Sequence, residues 1–273
     1  MRKFVITMLI VLTAVTGFSW GEGKYFKKGT EALNKGDLQA AKVFFNEALN
    51  KNPKFSRGYS YLAYTQTKLG DIDGAITNYK LAYKFDEKDY SSLTNLCGLY
   101  IRKGELQNAH ESCTQALSIK SDSHVALNQR CLVFLQMDRH QSAIGDCSQA
   151  ILLKDGYETA YINRGLAYSE LGQYQNSVDD FTNALKANPA NATAYNNRCS
   201  AYKELKMYEE AVADCSKALV MDENLIEAYQ NRGAAYEMMG KKDDAVMDYR
   251  NYLKYEPEAE SVRQRMLRLM KGE

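Results

Sequence analysis

The chain has 273 residues, with 35 Lys and Arg against 34 Asp and Glu and a formal net charge of +1. That balance excludes a dedicated nucleic-acid binder, which needs a strongly basic face to displace counterions from phosphate. Three prolines, 45% hydrophobic and 25% charged residues describe a helical chain with ample apolar surface to bury, and no Pro/Gly/Ser-rich linker divides it, so it reads as one elongated domain.

Met1, Arg2 and Lys3 form a basic start, Phe4 to Phe18 an apolar run, and Gly17, Ser19 and Gly21 small residues near a cleavage point. This is the layout of a secretory signal peptide over residues 1–21. The apolar run falls short of the ~20 residues of a permanent membrane helix. No stable membrane span is therefore expected after cleavage; an uncleaved anchor is the alternative. No cysteine precedes Cys97, which argues against lipid attachment.

From Glu22 the chain is in register with itself. Ala41, Ala75, Ala109, Ala143, Ala211 and Ala245 lie on one 34-residue lattice, with Ser177 filling the gap, and Ala48, Ala82, Ala116, Ala150, Ala184 and Ala218 lie on a second. A fixed period of ~20 to 50 residues means stacked supersecondary units rather than one globular core. The cycles span roughly 22–55, 56–89, 90–123, 124–157, 158–191, 192–225 and 226–259. In each first helix, large residues stand at the fourth place (Tyr25, Tyr59, Leu93, Leu127, Tyr161, Tyr195, Tyr229) and small ones at the eighth, along one helical face. Gly36, Gly70, Gly104, Gly172 and Gly240 mark the turn, where a residue tolerant of positive φ ends the helix. The second helix carries both alanine series, and Pro53, Pro189 and Pro257 mark its end.

This pattern resembles the tetratricopeptide repeat (TPR) family, most clearly at Ala194-Tyr-Asn-Asn-Arg-Cys-Ser-Ala-Tyr202 and Ala211 to Leu219. The resemblance implies an all-α fold: a right-handed α-solenoid of seven helix-turn-helix units over residues 22–257, whose concave face is lined by the first helices. A C-terminal capping helix over 258–273 would follow, with Val262, Met266, Leu269 and Met270 on one side.

The six cysteines form three pairs, Cys97 and Cys113, Cys131 and Cys147, Cys199 and Cys215, each 16 apart at the eighth and twenty-fourth places of a cycle. The other cycles carry Gly29 with Phe45, Ala63 with Tyr79, Gly165 with Phe181 and Gly233 with Tyr249. A small residue facing an aromatic is exchanged for two cysteines, at both places or neither. Helix axes ~8 to 10 Å apart with Cα radii of ~2.3 Å bring such positions close to disulfide range. In an exported chain this favours three disulfides over buried thiols. Zinc fits poorly, because no CxxC spacing exists and His110, His124 and His140 are the only histidines; no cofactor is expected.

Arg130, Arg164, Arg198 and Arg232 occupy the seventh place of the last four cycles, and Asp146, Asp180, Asp214 and Asp248 the twenty-third of the same cycles. Their joint occurrence predicts ion pairs within repeats. At the sixth place stand Asn95, Gln129, Asn163, Asn197 and Asn231, which the resemblance puts on the concave face. A row of carboxamides can pair with the backbone of an extended peptide whatever its side chains, or each can bind its neighbouring helix instead. Similar asparagine ladders line the superhelix of the O-GlcNAc transferase family. Around the row the resemblance implies a groove basic at Lys27, Arg57, Lys68 and Arg102, apolar at Leu132, Leu135, Ile162 and Leu166, and acidic at Glu170, Glu204, Glu227 and Glu237.

The Asn-Arg and Asp-Cys combinations also look like those of co-chaperone TPR domains that grip a C-terminal carboxylate. The lysine and second asparagine of that motif are missing from every window, as at Ile162 and Leu166 or Asn128 and Leu132. No phosphate-binding loop, nucleophile elbow or metal-ligand cluster appears. The expected function is a non-enzymatic scaffold of the periplasm or cell envelope that binds a protein or extended peptide segment. The alternatives are a self-associating scaffold or a luminal co-chaperone-like adaptor, secreted or in the endoplasmic reticulum of a eukaryote. Asn191-Ala-Thr193 is a glycosylation sequon with meaning only in the latter setting.

Overall fold

The computed structural model describes residues 21–272. The expected signal peptide, but for Gly21, lies outside the described residues. Among the described residues all regular structure is helical, in two compact units that divide between Met137 and Asp138. The division falls inside the fourth repeat of the 34-residue period, between its first helix and its second.

The first unit contains α1 (Glu22–Asn34), α2 (Leu38–Lys51), α3 (Ser56–Leu69), α4 (Ile72–Phe85), α5 (Tyr90–Lys103), α6 (Leu106–Ile119) and α7 (His124–Gln136). Here α1 packs on α2, α3 on α4 and α5 on α6, and each even-numbered helix also packs on the next odd one. The second unit contains α8 (His140–Leu153), α9 (Glu158–Glu170), α10 (Tyr174–Ala187), α11 (Ala192–Glu204), α12 (Tyr208–Met221), α13 (Ile226–Met238), α14 (Lys242–Tyr255) and α15 (Glu260–Lys271). Its helices pair as α9 with α10, α11 with α12 and α13 with α14, and α15 closes on α14. Each unit is therefore a stretch of α-solenoid.

The turn inside each repeat is left-handed at the fifteenth place of all seven cycles. Gly36, Gly70, Gly104, Gly172 and Gly240 have φ of 78°, 84°, 74°, 70° and 72°, and Asp138 and Lys206 adopt 56° and 62° in the two cycles without glycine. The second helices end at Lys51, Phe85, Ile119, Leu153, Ala187, Met221 and Tyr255, on one lattice. Three of these ends precede Pro53, Pro189 and Pro257 and the rest do not, so packing sets the length and proline only agrees with it.

Both alanine series are fully buried. Small side chains let paired helices approach closely, and bulky ones fill the space that remains. In the first unit Phe26, Phe45 and Tyr61 pack together, with Phe26 and Tyr61 edge to face at 4.9 Å. Ser177, on the alanine lattice, is also fully buried and donates to the Gly165 carbonyl at 2.8 Å. Its hydroxyl is therefore satisfied where alanine has none. On α15, Val262 and Leu269 are buried against Tyr249, with Met266 packed beside them. Met270, expected on that side, is exposed; it lies one residue, about 100° of helix, beyond Leu269.

Candidate functional site

Cys97–Cys113 and Cys199–Cys215 are disulfides, with Cα atoms 5.3 and 5.5 Å apart. Each ties the two helices of one repeat, and all four cysteines are fully buried. Cys131 and Cys147 fall on either side of the division between the units, and neither is free. Where cysteine is absent the exchange is steric. A Cβ added at Gly165 would lie 2.8 Å from the Phe181 ring, and one at Gly233 2.9 Å from that of Tyr249.

Three of the four predicted Arg–Asp pairs lie wholly within the second unit. Arg164 donates through Nε and Nη2 to Asp180 at 2.8 and 2.7 Å, Arg198 to Asp214 at 2.6 and 2.9 Å, and Arg232 to Asp248 at 2.8 and 2.8 Å. The hydrogen bonds to Asp180 and Asp248 hold the Arg164 and Arg232 guanidinium groups above their ordinary value. Each arginine also donates through Nη1 to a hydroxyl on the preceding repeat: Ser148 at 2.9 Å, Thr182 at 2.8 Å and Ser216 at 2.9 Å. Tyrosine rings flank each guanidinium, Tyr195 and Tyr202 at 5.6 and 5.7 Å from Arg198. One side chain thus joins three helices of two repeats. The signal for those hydroxyls is in the sequence: Thr114, Ser148, Thr182 and Ser216 share the twenty-fifth place of the four repeats that precede the arginines, where the other repeats carry Asn46, Lys80 and Arg250. Arg130 and Asp146 stand in different units.

The sixth-place row spans both units. In the first, Asn95 and Gln129 are buried, 8% and 7% exposed. Gln129 Oε1 lies 3.8 Å from Cys113 Sγ of the preceding repeat, and its Nε2 sits where a Cβ on Gly98 would come within 3.0 Å. In the second, Asn163 is buried at 7%, while Asn197 and Asn231 are half-buried. Asn231 donates to Asn196 Oδ1 at 3.0 Å and accepts from Lys203 Nζ at 3.1 Å. For Gln129 and Asn231 the carboxamide therefore faces the preceding repeat, and Asn196 and Lys203 join a set that the sequence does not identify.

The charged positions around the row differ in what is left available. Lys68 and Arg102 are exposed at the same place of adjacent repeats and have no carboxylate partner among the described residues; Lys68 lies over the Tyr64 ring at 5.4 Å. Leu132 and Leu166 are half-buried. Glu237 is committed elsewhere: it accepts from Tyr249 at 2.6 Å and pairs with Arg265 at 2.7 Å. Burial and that carboxylate push the Tyr249 phenol above its ordinary value. Asn191 of the sequon is the N-cap of α11, accepting from Ala194 N at 2.9 Å and donating to Glu158 at 2.6 Å. Among the described residues no group of three or more His, Cys, Asp or Glu could hold a metal ion, and no helix is long and apolar enough to cross a membrane.

Family models described as tetratricopeptide repeat match residues 25–55, 159–191, 192–225 and 227–259, in the frame of the helix pairs. The chain is a tetratricopeptide repeat protein. Solved structures share the TPR fold. A tetratricopeptide repeat protein from Parabacteroides merdae is 22% identical, with a TM-score of 0.66 over 91% of this chain and 98% of the other. PilW, described as a widely conserved type IV pilus biogenesis factor, is 20% identical, with a TM-score of 0.67 over 77% and 97%. YrrB, described as a TPR protein with an unusual peptide-binding site, is 17% identical, with a TM-score of 0.58 over 68% and 96%. No curated protein gives a significant sequence match to this TPR chain.

Proposed function

We propose that this TPR protein is an exported, non-enzymatic scaffold that holds an extended protein segment along the odd-numbered helices. The observation that carries this reading is the pair Lys68 and Arg102: two exposed cations at equivalent places of α3 and α5, with no carboxylate partner among the described residues. Cations left unpaired in adjacent repeats suit an acidic stretch of a ligand. In the second unit Glu170, Glu204 and Glu227 give the odd-numbered helices the opposite character, suited to a basic stretch. Peptide binding by a protein of this fold is stated for YrrB. Export is supported by the signal-like residues 1–21 and by the paired cysteines; the periplasm or cell envelope is the compartment proposed.

The test is selection of peptides from a displayed random library on the purified chain, repeated with Lys68→Glu/Arg102→Glu. The wild type should enrich segments with acidic residues, and the variant should lose them by about tenfold in affinity or more. Enrichment that is indifferent to charge, or unchanged in the variant, contradicts the reading. Sedimentation across a concentration range separates it from self-assembly.

A further inference from the structure

In the second unit the notch between an even-numbered helix, the next odd-numbered helix and that helix's own partner is filled by the chain itself. Arg164, Arg198 and Arg232 occupy it, between tyrosine rings and against Asp180, Asp214 and Asp248. The same notch in the second repeat, between α2, α3 and α4, is an open cavity of about 450 Å3. Along the 34-residue frame Leu62 stands where Arg164 does, Gln66 where Tyr168 does, Asn78 where Asp180 does and Asn46 where Ser148 does; Tyr59 keeps the place of Tyr161. A leucine too short to reach across, with no carboxylate opposite it, leaves the notch empty.

What lines it is chemically one-sided. Leu49 and Leu62 are buried at its floor, with Tyr59 and Pro53 at one edge. Gln66 donates to Asp71 at 2.8 Å and accepts from Asn78 at 2.6 Å, which spends most of their capacity on each other. Lys42 Nζ and the Asn50 carboxamide, also lining the cavity, have no ion-pair or side-chain hydrogen-bond partner among the described residues. No acidic side chain lines the cavity. A guest cation would meet an ammonium with nothing to offset it, whereas a carboxylate gains a charge-assisted hydrogen bond from Lys42 and an N–H from Asn50. The leucine floor favours an apolar group next to that carboxylate.

We infer that the notch of the second repeat binds a carboxylate on a short apolar stem, the stem against Leu49 and Leu62 and the carboxylate at Lys42 and Asn50. This site is separate from the peptide-binding face proposed above. Tyr59, Leu62 and Gln66 lie on the opposite side of α3 from Tyr64 and Lys68, at about 100° of rotation per residue. The carboxylate has two possible sources, the C-terminal residue of a bound protein and a free small carboxylic acid.

Titration of the isotope-labelled chain with N-acetyl-leucine, followed through the side-chain amide resonances of Asn50 and Asn78, tests this. N-acetyl-leucinamide, lacking the charge, should bind about tenfold more weakly or worse. Lys42→Met, a change at a partly exposed side chain, should weaken the acid and leave the amide unaffected. Leu62→Arg/Asn78→Asp rebuilds the self-filled notch and should abolish the response with helical content intact. An N-acetylated Gly-Gly-Leu peptide that binds more tightly than N-acetyl-leucine points to a protein C-terminus, and one that binds no better points to a free acid. Equal binding of acid and amide, no shift with either carboxylate, or undiminished binding by the notch-filling variant overturns the inference.

Discussion

Arg198 shows how much a single residue does in this repeat. Its side chain is 14% exposed, and three of its N–H donors reach Asp214 on the partner helix and Thr182 on the preceding repeat while tyrosine rings flank it. Asp214→Ala leaves that charge without its partner and should cost about 3 to 5 kcal/mol in urea unfolding, whereas Arg198→Met/Asp214→Leu should cost far less. Equal losses in both variants would mean that packing rather than charge is at stake. The Arg–Asp couple was legible because both residues appear or vanish together, and so were the cysteine pairs. The destination of the sixth-place carboxamides was not. Asparagine donates and accepts equally well toward a ligand or a neighbour, and periodicity reports only the direction in which Asn231 points. Its bonds to Asn196 and Lys203 depend on residues whose own places vary between repeats.

At the scale of the element, the period outweighs the residue. The left-handed turn is present at Lys206 with φ of 62° as surely as at Gly172 with 70°, because the two helices must pack across it. An L residue in that conformation costs about 1 to 2 kcal/mol, and glycine returns about 0.5 to 1 in chain entropy. Lys206→Gly should therefore stabilise the chain by about 0.5 to 1 kcal/mol in thermal or urea unfolding; a loss of stability would show that the lysine side chain holds the turn in another way. Helix existence, pairing and ends were legible from the lattice. The open notch between α2, α3 and α4 was not, since Leu62 reads as one more apolar residue until the arginine at the same place of later repeats is seen to fill that space.

For the molecule as a whole, a net charge of +1 conceals a segregation along the odd-numbered helices: cations at Lys27, Lys68 and Arg102 in the first unit, carboxylates at Glu170, Glu204 and Glu227 in the second. Overall composition says nothing of this division, which emerges only once the repeats are in frame. The paired cysteines are consistent with an exported protein. A photocrosslinking residue placed at 68, at 102 and, as a control on the even-numbered helix of the second repeat, at 84, would test the central claim most directly in the native envelope. The account predicts that one polypeptide is captured from both 68 and 102 and not from 84. No capture at 68 or 102, or the same capture at 84, would contradict it.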